Sequence, residues 1–453
     1  MKIADQGHRE HQEHQEQGLH RRLTSWQLTM IAIGGAIGVG LFLGSAVTIQ
    51  IAGPGVLISY IIGAVVASIM AYALAEMASV HPVAGSFGIY AEKYISPWAG
   101  FTVRLAYWFA QTVAIGAEVT AVGLYFGYWM PGVPSWVWIM GSSALVLAAN
   151  AANVKMFGTL ESWFAMIKVL AIAAFVAVGG ALIIGIGGIG GIGGIGRPPL
   201  GLSNLTAHGG FLPHGWTGVW LALTLVITSY MGIEGIAVSA GEAEHPEESV
   251  ARALRSTVVR LIVFYLLAIF VIVTVTPWPT IAEASGQLSG SPFVKVFAEI
   301  GIPFAGGIMN FVVISAALSS VNSNLYFCTR MIFSLSRAGY APGLLGSVDP
   351  RGVPLAALWA SGAGMAVAII FALKGHQGFL LLYGTAVAAM FFVWIAILVT
   401  HIRFRQTLPL TSIAGIAVIL ALAASTPFVS GLEWTVPLFL AWLALTTVFY
   451  FLR

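Results

Sequence analysis

The sequence predicts an all-α polytopic membrane protein with twelve transmembrane helices. Of its 453 residues, 58% are hydrophobic and only 8% are charged, whereas soluble proteins carry roughly 25% charged residues. Twelve apolar segments are long enough to cross a bilayer, which takes about 20 residues. Two of the segments are interrupted by glycine, and a bilayer tolerates such a break only where the freed backbone groups face protein, water or a ligand.

The segments set the topology of the chain. They are predicted at 27–50, 55–79, 99–129, 135–153, 160–186, 217–239, 257–277, 303–335, 355–373, 378–401, 410–427 and 434–452. An even number places both termini on one side. If that side is the cytoplasm, only Arg197, Lys295 and Lys374 among the basic residues fall outside, as the positive-inside rule expects. We therefore expect a multi-pass protein of the inner (plasma) membrane with both termini cytoplasmic.

Three polar or irregular features carry no predicted site. Residues 1–22 are rich in His, Gln and Glu and are predicted to form a disordered cytoplasmic tail, not a metal site built on its histidines. The Gly-Ile repeat at 185–196 is interpreted as the frayed outer end of segment five, because it lacks the Lys-Ser/Thr of a phosphate loop. The lone Cys328 excludes an internal disulfide and is expected to be a small buried residue.

The first interrupted segment spans 31–46, with five glycines between Gly34 and Gly44. Each glycine costs a helix roughly 1 kcal/mol relative to alanine. Amides freed at the start of a half-helix attract a carboxylate, and carbonyls at the opposite half-helix end attract an ammonium. A pocket with both suits a zwitterion.

The second break lies five segments later, at 230–235, and contains a carboxylate, Glu234. Two interrupted segments at matching places in two halves are the best sequence-level indication of a secondary transporter's binding site. Tyr230 is either an aromatic lid over that site or an ordinary packing residue. The predicted substrate-binding residues are Ile37, Gly38, Val39, Gly40, Tyr230, Gly232 and Glu234.

Ionisable side chains within apolar segments are costly and are functional candidates by default. Glu76 lies near the inner end of segment two, where water or a basic loop is in reach, and is assigned a structural or gating role. Glu118 lies mid-segment and must be paired, protonated or facing a cavity. Lys168 either snorkels to the interface or is a buried ammonium that fills a cation site and exchanges a proton.

Several motifs resemble the amino acid transporter family of the amino acid–polyamine–organocation (APC) superfamily, over residues 23–360. They are Gly34–Ser45; Leu74–Met77 with Pro82–Phe87 and Tyr90–Tyr94; Met156–Glu161 with Ile167–Val169; Gly201–Leu205 with His208–Phe211; Gly232–Glu234 with Ala240–Pro246; and Ala316–Ser323 with Arg330–Leu335. The resemblance implies the APC/LeuT-like fold: an inverted five-helix repeat in a transport core at 23–402, plus two C-terminal helices at 403–453.

The resemblance also implies uptake of an amino acid by alternating access, coupled to inward proton flow. It places the Lys168 ammonium where sodium-coupled relatives bind sodium, with Ser319 and Ser320 facing that site, while Glu234 and the Gly38–Gly40 backbone border the substrate. Val39 departs from the family's usual hydroxyl residue, and Tyr230 from its usual Phe. Arg104 and Leu105 replace a common Gly-Trp pair, which leaves two roles open for Arg104: binding lipid headgroups or stiffening the inner gate.

The predicted function is that of a proton-coupled amino acid permease, with Lys168, Glu118, Ser319 and Ser320 as the proton-coupling residues. The alternative is an amino acid exchanger without proton coupling. An enzyme is disfavoured because no segment carries clustered carboxylates or histidines with metal-ligand spacing. We expect no cofactor beyond the coupling proton, no metal and no nucleic-acid partner; the partners are a small amino acid and lipid, and a monomer suffices.

Overall fold

A computed structural model describes residues 19, 21–38, 40–83, 85–185, 199–283, 293, 305–373 and 376–453. The secondary structure of these residues is helical, apart from one isolated β-bridge between Leu23 and Ala243. Val39, one of the predicted substrate-binding residues, lies outside the described residues. So do most of the predicted tail and residues 186–198, which include most of the Gly-Ile repeat.

Most helices are long and apolar. In chain order they are α1 (Ser25–Ala36), α2 (Ser45–Ala52), α3 (Val56–Val80), α4 (Ser86–Tyr94), α5 (Pro97–Phe126), α6 (Ser135–Ala152), α7 (Val154–Ile184), α8 (Gly215–Val226), α9 (Gly235–Val238), α10 (Pro246–Val275), α11 (Trp278–Glu283), α12 (Ala305–Arg337), α13 (Leu355–Leu373), α14 (His376–Arg405), α15 (Leu410–Ser425) and α16 (Thr435–Leu452).

The helices confirm the predicted fold class. In the described part of the chain, ten helices are long and apolar enough to cross a membrane, and α13 contributes a shorter apolar stretch at Leu355–Phe371. Each predicted segment coincides with helical structure. Several helices extend beyond the predicted bounds, as α7 and α10 do at their amino ends, because hydropathy detects only the apolar part of a helix that continues into water.

The first interrupted segment begins as a regular helix and then stops. Thr24 and Gln27 cap α1 reciprocally, since each backbone N–H donates to the other's side chain. The helix ends at Ala36, and Ile37 departs from helical geometry with ψ 89°. Helical structure resumes as a π-helix at Gly40–Gly44 that leads into α2. The predicted break is therefore present.

The second interrupted segment is α8, a 3₁₀ turn at Ile227–Tyr230, a non-helical stretch, and the short α9. Gly232 has φ +104°, which favours glycine. A Cβ at Gly232 would lie 2.9 Å from the carbonyl oxygen of Gly35. The two breaks therefore contact each other, and glycine permits that approach.

Arg104 of α5 is fully buried. Its Nη2 lies 2.7 Å from Glu92 Oε2 of α4, and its Nε donates to Ser334 Oγ of α12 at 3.2 Å. A Cβ at Gly88 would collide with its side chain. Arg104 thus joins three helices, and its burial excludes the lipid-headgroup interpretation.

Candidate functional site

A cavity of about 490 Å³ lies where the two helix breaks meet α5, α12 and α14. The α1–α2 break provides Gly35, Gly38 and Gly40, and the second break provides Met231 and Gly232. The volume is within the range of roughly 300–1,000 Å³ typical of small-molecule sites. Backbone of both interrupted segments therefore borders one chamber, as a binding site at the breaks requires.

The carbonyl end of α1 receives hydrogen bonds from Lys168 of α7, Tyr265 of α10 and Ser320 of α12. Lys168 Nζ of α7 donates to Gly34 O at 2.8 Å and to Ile37 O at 2.7 Å. Lys168 is 0% exposed, so the snorkelling interpretation is wrong. The carbonyls of a last helical turn have no partner within the helix. The buried Lys168 amine supplies hydrogen bonds to two carbonyls at the end of α1.

Tyr265 of α10 links the two breaks. Its buried hydroxyl lies 3.1 Å from Ala36 O at the end of α1 and 2.8 Å from Ser229 O in the 3₁₀ turn before the second break. The sequence offered no signal for this role, since the residue is one aromatic within an apolar run. Its position makes the geometry of one break depend on the other.

Glu118 of α5 lines the cavity. It therefore meets one of the three alternatives predicted for it, that of facing a cavity. Its Oε1 accepts a hydrogen bond from Ser320 Oγ at 3.0 Å. A Cβ at Gly38 would collide with that same oxygen. Asn324, one turn along α12, donates from Nδ2 to Ser320 Oγ at 3.1 Å. Glycine thus allows a carboxylate to lie directly against the unwound backbone.

Glu161 of α7 forms a second carboxylate site, which the sequence analysis noted only as part of a motif. It is fully buried and accepts hydrogen bonds from Ser319 Oγ and, at 2.8 Å, from Asn322 Nδ2. It lies seven residues from Lys168, so the two side chains share one face of α7. A Cβ at Gly34 would collide with Glu161 Oε1.

The adjacent serines of α12 therefore serve different carboxylates. Ser320 donates to Glu118 beside the cavity, and Ser319 donates to Glu161, which lies against Gly34 of α1. Both carboxylates interact electrostatically with Lys168. Two signals in the sequence could have identified Glu161: its place within the apolar segment 160–186 and its two-turn spacing from Lys168.

Glu234 and Tyr230 lie behind the cavity wall. Glu234 Oε1 accepts from the Gly232 amide at 2.9 Å, and its Oε2 accepts from Trp394 Nε1 of α14 at 3.1 Å. Tyr230 donates to Tyr60 O at 3.0 Å. Neither is among the described residues that line the cavity, and Ile37 and Ser319 are also set behind it; their direct roles stay predictions.

Glu76 lies away from the cavity, at the end of α3. Its Oε2 lies 3.1 Å from His401 Nε2, and its Oε1 lies 3.3 Å from Arg405 Nε, both of α14. The carboxylate is 39% exposed. It connects two helix ends, in keeping with the structural role assigned to it.

The bundle is closed at the end where Leu23 meets Glu242. Arg330 Nη2 of α12 lies 2.9 Å from Glu242 Oε1, Tyr326 donates to Oε2 of the same carboxylate, and all three are buried. The Leu23 amide donates to Glu242 O at 2.9 Å. Toward the opposite end, Ser430 in the connection between α15 and α16 lines the cavity.

Comparison with known proteins identifies the family. A family model described as amino acid permease matches residues 27–453. The chain belongs to the amino acid permease family. It is a multi-pass membrane protein whose two broken helices border a cavity.

Relatives of this permease include proteins with different stated substrates. An uncharacterized amino acid permease, YtnA of Bacillus subtilis, is 41% identical over 87% of this chain and 83% of its own length. The aromatic amino acid transport protein AroP of Escherichia coli is 39% identical over 88% and 84%. A probable threonine/serine transporter, YbxG of Bacillus subtilis, is 40% identical over 86% and 82%.

Proposed function

We propose that this permease imports an amino acid by alternating access and couples import to the inward movement of a proton. The supporting observation is the pair of hydrogen bonds from Lys168 Nζ to Gly34 O and Ile37 O, which places a titratable cation on the broken end of α1. An ammonium has three N–H donors, and a neutral amine loses one of them and its charge. Protonation of Lys168 is thereby linked to the geometry of the break.

The proposed substrate position uses the same break. The amides at the start of the Gly40–Gly44 helix bind the substrate carboxylate, because the first N–H groups of a helix have no partner within it. Glu118, Ser320 and Asn324 face the substrate ammonium from α5 and α12. Glu234 acts from behind by holding the Gly232 amide.

Coupling requires that the proton sites differ in free energy between the outward and inward states. In the structure, the helix break positions Lys168 against carbonyls that move if the break rearranges. Glu118 and Ser320 line the cavity, and Ser319 donates to the buried Glu161. We assign proton coupling to these four residues, and localisation to the inner membrane with both termini cytoplasmic.

The test is uptake into proteoliposomes with an imposed proton gradient. The Lys168→Ala protein is expected to lose concentrative uptake, while Lys155→Ala, an exposed lysine at the start of the same helix, retains it. Proton-driven accumulation by Lys168→Ala would contradict the coupling assignment. Uptake by the wild type that needs internal amino acid and ignores a protonophore would identify an exchanger instead. Transport proteins among the relatives favour transport over an enzymatic role.

A further inference from the structure

The cavity wall has a polar part and an apolar part. The polar part lies at the helix breaks, where Glu118, Ser320 and Asn324 line the cavity beside Gly38. The Asn324 Oδ1 atom is buried and has no hydrogen-bond partner among the described residues. A buried acceptor without a partner is costly, so it indicates a donor that a bound molecule supplies.

The largely apolar part lies along α5 and α14, where Gln111 and Tyr383 are its polar members. Ala110, Ala114, Ala117 and Ala121 of α5 line the cavity at spacings of four, three and four residues, which places them on one helix face. Helix α14 contributes Ala386, Val387 and Met390 to the same cavity. The short alanine side chains leave room for a large substrate side chain, and the flexible thioether of Met390 can adapt to its shape.

The charges on the lining exclude ionised substrate side chains. Among the described residues that line the cavity, Glu118 is the single acidic side chain, and none is Lys, Arg or His. Because Glu118 pairs with the substrate ammonium in the proposed binding mode, a cationic substrate side chain would find no second carboxylate in the lining, and burying an unpaired charge is costly. An anionic side chain would have no cation to pair with there and would face Glu118.

We infer that this site selects amino acids with large, uncharged, apolar side chains, including aromatic ones. The side chain fills the space between the alanine face of α5 and the Ala386–Met390 stretch of α14, while the amino and carboxylate groups occupy the polar part. The inference rests on the proposed import function and adds the substrate class to it. Small amino acids would leave apolar volume unfilled, and so gain less from burial.

The first test uses the wild-type protein in proteoliposomes with labelled phenylalanine, serine and lysine, each competed by unlabelled leucine, phenylalanine, glycine, serine, lysine and glutamate. Phenylalanine and leucine are expected to compete at least about tenfold more strongly than the small or charged amino acids, since a methylene in an apolar pocket is worth roughly tenfold or more. Preferential uptake of glycine, serine or lysine would overturn the substrate class but leave import intact. Failure of every amino acid to bind or be carried would overturn both.

The second test fills the apolar part. Ala114→Leu is expected to weaken competition by phenylalanine about tenfold relative to competition by alanine. The matched control is Ala366→Leu, an exposed alanine of α13, which is expected to behave as the wild type. Unchanged phenylalanine recognition in Ala114→Leu would contradict the inference. If that variant does not fold, the wild-type ranking of substrates decides alone.

Discussion

At the scale of single residues, the glycines and carboxylates of this protein act in pairs. Gly34 makes room for Glu161, and Gly38 makes room for Glu118. Each carboxylate accepts a hydrogen bond from a serine hydroxyl of α12, and both interact electrostatically with Lys168. Burial of Lys168 and Glu161 is tolerable because their opposite charges compensate each other and both have hydrogen-bond partners.

Glu161 provides the sharpest residue-scale prediction. Glu161→Gln is expected to abolish proton-driven uptake, because the amide removes a negative charge near Lys168 and presents an N–H₂ group to donors from Ser319 and Asn322. Glu248→Gln is the control, because its exposed ion pair with Arg252 is worth about 1 kcal/mol or less. Uptake assays on both proteins check this, and equal activity of the two variants would show that Glu161 is only a packing residue.

At the scale of elements, two glycine-rich breaks contact each other, and Tyr265 bridges them. The glycines of the first break have different roles. Gly34 and Gly35 lie within α1 and permit close packing, whereas Gly40 and Gly44 have open space where a Cβ would be. From the sequence, all five glycines were predicted to unwind the helix.

Gly34→Ala tests the packing role. The added methyl collides with Glu161, and overpacking of this kind costs typically about 1–3 kcal/mol. We expect a lower thermal unfolding midpoint and reduced uptake. Gly180→Ala in α7, where a Cβ meets nothing within 4 Å, is expected to leave both unchanged or to raise stability slightly. Equal midpoints for the two variants would contradict the packing role of Gly34.

The elements also show what the sequence could predict. Apolar run length and glycine content are local properties, so the twelve segments and both breaks were predictable. The partners of Glu161, Glu234 and Tyr265 lie on helices distant in sequence, and the side on which Tyr230 packs depends on Tyr60 and Tyr265. A single sequence contains no spacing that reports such contacts.

At the scale of the whole molecule, one end of the bundle is closed by Arg330, Glu242 and Tyr326, with backbone contacts from Leu23. Alternating access requires that closure to open. Breaking a buried ion pair by removing one partner costs roughly 3–5 kcal/mol in the state that holds it. The closed state should therefore lose population when either partner is changed.

Arg330→Gln tests this closure. In a Cys328→Ala background, a cysteine introduced by Ser239→Cys, a buried position beside Glu242, is expected to react with a permeant maleimide at least about tenfold faster when Arg330 is replaced, since each 1.4 kcal/mol is a factor of ten. Arg252→Gln, which breaks an exposed pair with Glu248, should leave the rate unchanged. Unaltered labelling in Arg330→Gln would mean that the pair does not hold the closed state.

The central claim is that the unwound backbone of the first break binds the amino acid. A cryo-electron microscopy map of the full-length protein with bound phenylalanine, or with leucine if phenylalanine does not bind, tests it directly. The account predicts the carboxylate within about 3 Å of amides at the start of the Gly40–Gly44 helix, and the ammonium facing Glu118. An amino acid bound away from both breaks, or a continuous helix through residues 31–46, would contradict it.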